Sequence, residues 1–226
     1  MRLAALTCLV LALVIALFAS GGKMQAEPVS AAPQEKWIHI DLVKKALTLY
    51  EGTKILKVYA IASGTAKTPS PIGSFRITSR FSSEMSGFGT RFLGLNVPWG
   101  QYGIHGTNKP GSIGTNASHG CIRMHVKSAE ELYRLTPNGT KVIIEGGPYG
   151  PLDSYLPTLV PGSRSSHVRE VQLRLNSLGY DCGNPDGVYG AATSRAVVKA
   201  REAFGLSRVD RVDGPLYEKL GIVLFE

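Results

Sequence analysis

The sequence predicts a mainly β domain, of the sandwich or meander type with one or two short helices, followed by a small three-helix C-terminal domain. Short apolar runs rich in Ile, Val, Leu and Tyr recur from residue 37 onward, and such runs are typical of β-strands. After residue 166, apolar residues recur at helical spacing, which predicts helices. A stretch rich in Pro, Gly and Ser at 148–165 separates the two patterns, so we expect a linker there.

The N-terminal residues have the features of an export signal and a spacer. One positive charge precedes an almost purely apolar run from Leu3 to Ala19, which is followed by small residues. This pattern predicts a signal peptide at 1–21. An uncleaved signal anchor is the alternative, because the 17 residues of this run reach the lower limit for a membrane span. Residues 22–35 are small, polar and proline-marked, which predicts a flexible linker.

Residues 36–147 are expected to form the β domain. The expected strands begin at Trp37, Ala46, Ile55, Phe75 and Thr140, and turn residues between the first three favour a β-meander. A capping-box pattern from Ser128 to Glu131 predicts the start of a helix. The stretch from Arg80 to Leu95 is rich in Gly and Ser with exposed-looking aromatic residues, including Phe92, and is either a flap or a connecting loop.

Charge is distributed unevenly along the chain. Residues 37–147 hold 13 Lys/Arg and 6 Asp/Glu, whereas residues from 148 onward hold 9 of each. The basic excess therefore lies in the β domain, where it favours an acidic partner. Nucleic acid is not favoured, because the chain has an export signal and lacks a basic helix or interleaved basic and aromatic residues. A solvated basic surface without a partner is the alternative.

The candidate catalytic residues lie between His105 and Arg123. This stretch holds two histidines, one cysteine and one arginine among several glycines. A cysteine nucleophile needs a base to generate thiolate and backbone N–H groups aimed at the developing oxyanion. Lowering a thiol pKa by ~2 units takes roughly 2.7 kcal/mol, which a neighbouring imidazole can supply.

The sequence gives less support to other roles for Cys121. Structural zinc sites need four ligands, usually with Cys-x-x-Cys spacing, and the sequence has no such spacing. A buried structural thiol is possible in general, but the glycine before Cys121 disfavours it here. A disulfide with Cys182 would destroy the nucleophile, and a secreted chain without a disulfide framework fits catalysis better. Cys182 has no assigned role.

The same residues resemble a known family. His105-Gly-Thr, followed after a loop by Ser118-His-Gly-Cys-Ile-Arg123, is similar to the active-site signature of the L,D-transpeptidases with a YkuD-type domain. The resemblance implies that Cys121 is the nucleophile and His105 the general base, with the carbonyl of Gly106 holding the second ring nitrogen.

The resemblance also assigns supporting roles in the loop before the cysteine. Main-chain N–H groups of His119, Gly120 and Cys121 are expected to form the oxyanion hole. Arg123 is expected to steady the substrate or the loop, and Ser118 to contact substrate. The side chain of His119 has either a functional role or a local packing role.

Residues 166–226 are similar to the small helical peptidoglycan-binding domains. The matching residues are Val168, Gln172, Leu175, Leu178, Gly179, Tyr180, Asp186, Gly187, Tyr189, Gly190, Thr193, Ala196, Val197, Gly205, Leu206, Asp213 and Gly214. The chain departs where that family usually has Phe-Gln, because Ala200-Arg201 stand there. Asn184–Gly187 superficially resembles a calcium loop but lacks the carboxylates such a loop needs.

Together with the signal-peptide pattern, these resemblances imply an exported enzyme that modifies bacterial peptidoglycan in the periplasm or cell wall through a cysteine thioester. The expected partners are a donor tetrapeptide stem and an acceptor amine, and no metal or organic cofactor is expected. The acceptor is open among a second stem, a lipoprotein lysine, a free D-amino acid and water. Water would make the enzyme an L,D-carboxypeptidase, and a wall-binding protein with an inert catalytic domain is the remaining alternative.

Overall fold

The computed structural model describes residues 34–82, 89–146 and 155–223. Glu35–Glu226 form one compact unit. The expected signal peptide and nearly all of the first linker lie outside the described residues. None of the helices within the three described ranges combines the length and apolar character that a membrane crossing requires.

The β domain is built from strands whose hydrogen-bonded order closes on itself. The order is β2-β1-β9-β4-β5-β6-β8-β3-β7, and β2 also pairs with β3, so a ring of paired strands surrounds the apolar core. The strands are β1 (Lys36–Asp41), β2 (Ala46–Glu51), β3 (Lys54–Gly64), β4 (Gly73–Phe81), β5 (Phe92–Leu95), β6 (Tyr102–Thr107), β7 (Asn116–Ser118), β8 (Ile122–His125) and β9 (Lys141–Glu145). A mainly β domain is therefore confirmed.

The first three strands form the expected meander. β1 pairs antiparallel with β2, and β2 with β3. Alternate residues such as Ile38, Ile40, Leu47 and Leu49 are fully buried, because side chains on one face of a strand recur with period two. The turns use positive φ at Lys45 and at a glycine.

An α-helix packs on this domain, and it begins earlier than expected. Helix α1 spans Val126–Leu135, with His125 as N-cap and no side-chain capping bond. The capping box predicted from Ser128 to Glu131 is wrong, because both residues lie inside the helix. The apolar face of α1 places Leu132 in the core, so packing on β6 and β8 decides where the helix starts.

The C-terminal region is helical and has its own core. Helices α2 (Ser166–Ser177), α3 (Ala191–Ala203) and α4 (Gly214–Lys219) enclose a cluster that includes Val171, Val197 and Leu216. Arg201, which replaces the residue usual in the resembled family, is buried and pairs with Asp213 at 2.7 Å. Its guanidinium thus connects α3 to the N-terminal end of α4.

Candidate active site

A parallel strand pair brings the expected nucleophile and base together. β6 pairs in parallel with β8, and the register sets His105 opposite Arg123. Cys121 directly precedes β8 and therefore lies opposite Gly103, two residues before His105. His105 lies within β6 and Cys121 lies directly before the neighbouring strand β8, so the two residues that the sequence singles out are on adjacent segments.

His105 is buried and held by its neighbours. Its Nδ1 lies 2.5 Å from the carbonyl oxygen of Gly106. A carbonyl can only accept a hydrogen bond, so Nδ1 is the protonated nitrogen and Nε2 is the basic one in the neutral ring. This is the contact that the resemblance to the L,D-transpeptidases implies for Gly106.

Phe92 is a site residue that sequence reasoning missed. Its ring stacks on His105, with the ring centroids 5.8 Å apart and the planes 18° apart. Phe92 is half-buried in β5 rather than exposed, and β5 pairs it directly with His105. A strand predicted at Phe92 would have indicated its contact with His105. The Gly and Ser content of the surrounding stretch instead favoured a loop. The predicted flap falls partly on 83–88, which lie outside the described residues.

The surroundings of Cys121 raise its pKa. Burial is the largest cause, and it outweighs the N–H donated by Gly103 and the positive charge of Arg123. This direction is opposite to the lowering of the pKa that an imidazole beside a thiol can supply. The desolvation of a half-buried sulfur disfavours the thiolate.

Ser118 organises the loop that precedes Cys121. Its hydroxyl donates to the Cys121 carbonyl at 2.6 Å and accepts from the Gly120 N–H at 3.0 Å. These bonds give Ser118 a positioning role, and its contact with substrate stays a prediction. The Gly120 N–H already has a partner, so oxyanion stabilisation by Gly120 would require that bond to break. The N–H groups of His119 and Cys121 stay as predicted donors.

Gly120 is required by a close approach. Its φ is +114°, and a Cβ here would lie 2.6 Å from Cε1 of Tyr102. A side chain would therefore clash with an aromatic ring and adopt a strained backbone conformation. Tyr102 is a second residue for which no role in the site was predicted from the sequence.

Arg123 and His119 have different surroundings. Arg123 Nη1 donates to the carbonyl oxygen of Ala117 at 3.1 Å, which supports the loop-steadying alternative for this residue. The His119 side chain is exposed and lines a cavity of about 490 Å³. Cys121 and His105 do not line this cavity.

Comparison with known proteins defines the class. A family model of the L,D-transpeptidase catalytic domain, YkuD, matches residues 35–144, and a model of a peptidoglycan binding domain matches residues 164–214. The chain therefore carries a YkuD-type L,D-transpeptidase catalytic domain followed by a peptidoglycan binding domain.

Individual relatives match the first of these domains. The chain is 44% identical over 107 residues to the Bacillus subtilis protein named "Putative L,D-transpeptidase YkuD". The match covers 47% of this chain and 64% of YkuD, less than two thirds of that relative. It is 29% identical over 127 residues to YqjB of Bacillus subtilis, covering 50% of this chain and 72% of YqjB.

A solved structure of an L,D-transpeptidase from Mycobacterium smegmatis is 23% identical, with a TM-score of 0.42, and the match covers 50% of this chain and 59% of that one. The catalytic domain of the E. faecium L,D-transpeptidase is also 23% identical, with a TM-score of 0.43, over 49% of this chain and 97% of that one.

The raised pKa of Cys121 predicts how the resting thiol reacts. Below its pKa, the thiolate fraction grows tenfold per pH unit. We expect alkylation of Cys121 by iodoacetamide to accelerate steadily between about pH 7 and about pH 9, measured by peptide mass spectrometry. A rate that stayed constant across this range would indicate a preformed thiolate–imidazolium pair and contradict the prediction. Cys182 is the internal control, because burial raises its pKa to about 11.

Proposed function

We propose that the protein is an exported L,D-transpeptidase that modifies bacterial peptidoglycan through a thioester on Cys121. The observation that carries the proposal is the pairing of β6 with β8, which places Cys121 directly before the strand next to the one that carries His105, whose Nδ1 is hydrogen-bonded to the Gly106 carbonyl. This pairing lies inside the domain that matches the transpeptidase family model. Export is proposed from the apolar N-terminal run alone.

In the first half-reaction, the Cys121 sulfur attacks the carbonyl that joins the L-centre of a diamino acid to the terminal D-residue of a tetrapeptide stem. Nε2 of His105 takes the thiol proton as the S–C bond forms. The tetrahedral intermediate then expels the D-amino acid, whose amine receives that proton from His105. The products are a thioester on Cys121 and a free D-amino acid.

In the second half-reaction, an amine of a second stem attacks the thioester carbonyl. His105 takes a proton from that amine, and the sulfur leaves as a thiolate that is then reprotonated. A new amide bond forms between the two stems, and the free enzyme is restored. The buried Nδ1–carbonyl bond fixes the ring in the tautomer that both steps need.

Incubation with a purified disaccharide-tetrapeptide tests this function. We expect mass spectrometry to show a cross-linked dimer and an equal amount of released D-amino acid, because a second stem supplies the acceptor amine. A disaccharide-tripeptide without dimer would mean that water is the acceptor and that the protein is an L,D-carboxypeptidase. Unchanged substrate would indicate an inert, wall-binding protein.

A further inference from the structure

The helical C-terminal region contacts the β domain directly. The Ile72 N–H donates to Ser166 Oγ at 2.8 Å, which connects the loop before β4 to the first residue of α2. A Cβ at Gly187 would lie only 2.4 Å from the Trp99 ring. The half-buried Val188 packs against the core of the β domain. The contact therefore combines a hydrogen bond with apolar packing.

The cavity next to the active site lies along this contact. One part of its lining comes from the β3–β4 loop, including Lys67, and a second comes from Tyr102 and His119. A third part comes from the C-terminal side and includes Tyr155 and Arg164. Its volume of about 490 Å³ is in the range of sites that bind small ligands.

The cavity reaches the immediate surroundings of the nucleophile. Tyr102 packs over Gly120 and is the neighbour of Gly103, whose N–H contacts the Cys121 sulfur. His119 is two residues before that sulfur in the chain. A peptide that fills the cavity can therefore continue past Tyr102 and His119 toward Cys121.

The charge of the lining selects the kind of ligand. The lining includes Lys45, Lys67 and Arg164 and contains no Asp or Glu among the described residues. Lys67 and Arg164 are exposed and form no ion pair with another residue in the described ranges. Cations on both walls of one concave site favour a carboxylate.

We propose that the C-terminal helical region forms one wall of the substrate cleft, and that Arg164 and Lys67 bind a free carboxylate of the stem peptide from opposite sides. This inference rests on the proposed function for the identity of the ligand. It gives the helical region a part in recognising the stem near Cys121, in addition to any attachment to the wall.

Binding to an inactive full-length chain separates this inference from catalysis. In a Cys121→Ala background, calorimetry measures the Kd of a soluble stem tetrapeptide with free carboxylates at low salt. We expect Arg164→Glu and Lys67→Glu each to raise this Kd by about tenfold or more, since a charge-assisted hydrogen bond is lost and a repulsion is added. The effect should shrink at high salt and disappear with a peptide whose carboxylates are amidated.

Arg208→Glu is the matched control, because it makes the same change of charge as Arg164→Glu. Arg208 is exposed on the same helical region and does not line the cavity. We expect its Kd to stay within about twofold of the parent value, well below the tenfold change that one lost charged contact produces. If Arg164→Glu behaved like Arg208→Glu, the inference would be overturned even if Lys67→Glu weakened binding. Failure of the proposed function would appear separately, as wild-type protein that binds the stem but forms no thioester.

Discussion

Cys121→Ala is expected to eliminate thioester formation and to lower turnover of disaccharide-tetrapeptide on the order of 10⁴-fold or more, as loss of a nucleophile does in other acyl-transfer enzymes. The substitution replaces a thiol with a methyl group, so the half-buried site should keep its fold. Intact-mass spectrometry after incubation with a carbapenem provides the clearest readout. By resemblance to the L,D-transpeptidases, we expect one covalent adduct on the wild type and none on the variant.

Cys182→Ala is the matched control for this result. Cys182 is buried in the core of the helical region, and burial raises its pKa to about 11, so it is a poor nucleophile near neutral pH. The Cys182→Ala variant should therefore form the same adduct as the wild type. An adduct that persisted in Cys121→Ala would break the assignment of the nucleophile, provided that circular dichroism showed both variants folded.

The sequence predicted the features of this molecule that depend on local pattern. Alternating apolar residues located the meander from Trp37 onward, and the structure has these strands in place. The resemblance to the L,D-transpeptidases implied the bond between His105 and the carbonyl of Gly106, which the structure contains. The bond joins neighbouring residues, so a match over a short motif is enough to imply it.

Features that depend on distant neighbours were not predicted. The stacking of Phe92 on His105 needs the β5–β6 pairing, and the raised pKa of Cys121 needs the burial that surrounding strands provide. The helix start was misjudged because packing, rather than a capping side chain, determines it at Val126.

The contact between the β domain and the C-terminal helical region is a further feature that the sequence did not predict. A linker rich in Pro, Gly and Ser favours two domains that move independently, yet Glu35–Glu226 form one compact unit. The contact depends on single residues such as Trp99 and Gly187, which are 88 positions apart and belong to no shared motif. The cavity is lined by residues from both sides of that contact, so neither the motif of the catalytic domain nor that of the helical domain predicts it alone.

His105→Gln is expected to lower turnover by about 10²–10⁴-fold, which is the usual contribution of a general acid–base group. Glutamine can still donate a hydrogen bond to the Gly106 carbonyl, but it cannot carry a proton between sulfur and amine. The loss of turnover should exceed the loss that a change in packing alone would cause, because His105 is the group that removes the proton from the Cys121 thiol in each attack. His125→Gln is the matched control, since His125 is exposed at the end of β8 and should keep its activity.

The pH profile of His105→Gln distinguishes loss of a base from loss of structure. In the wild type, His105 accepts the thiol proton during attack, so turnover near neutral pH should not depend on prior ionisation of the thiol. In the variant, the residual activity should grow only toward alkaline pH, where solvent hydroxide ionises a thiol whose pKa is raised by burial. A variant that kept turnover near that of the wild type at neutral pH would show that another group removes the proton from Cys121.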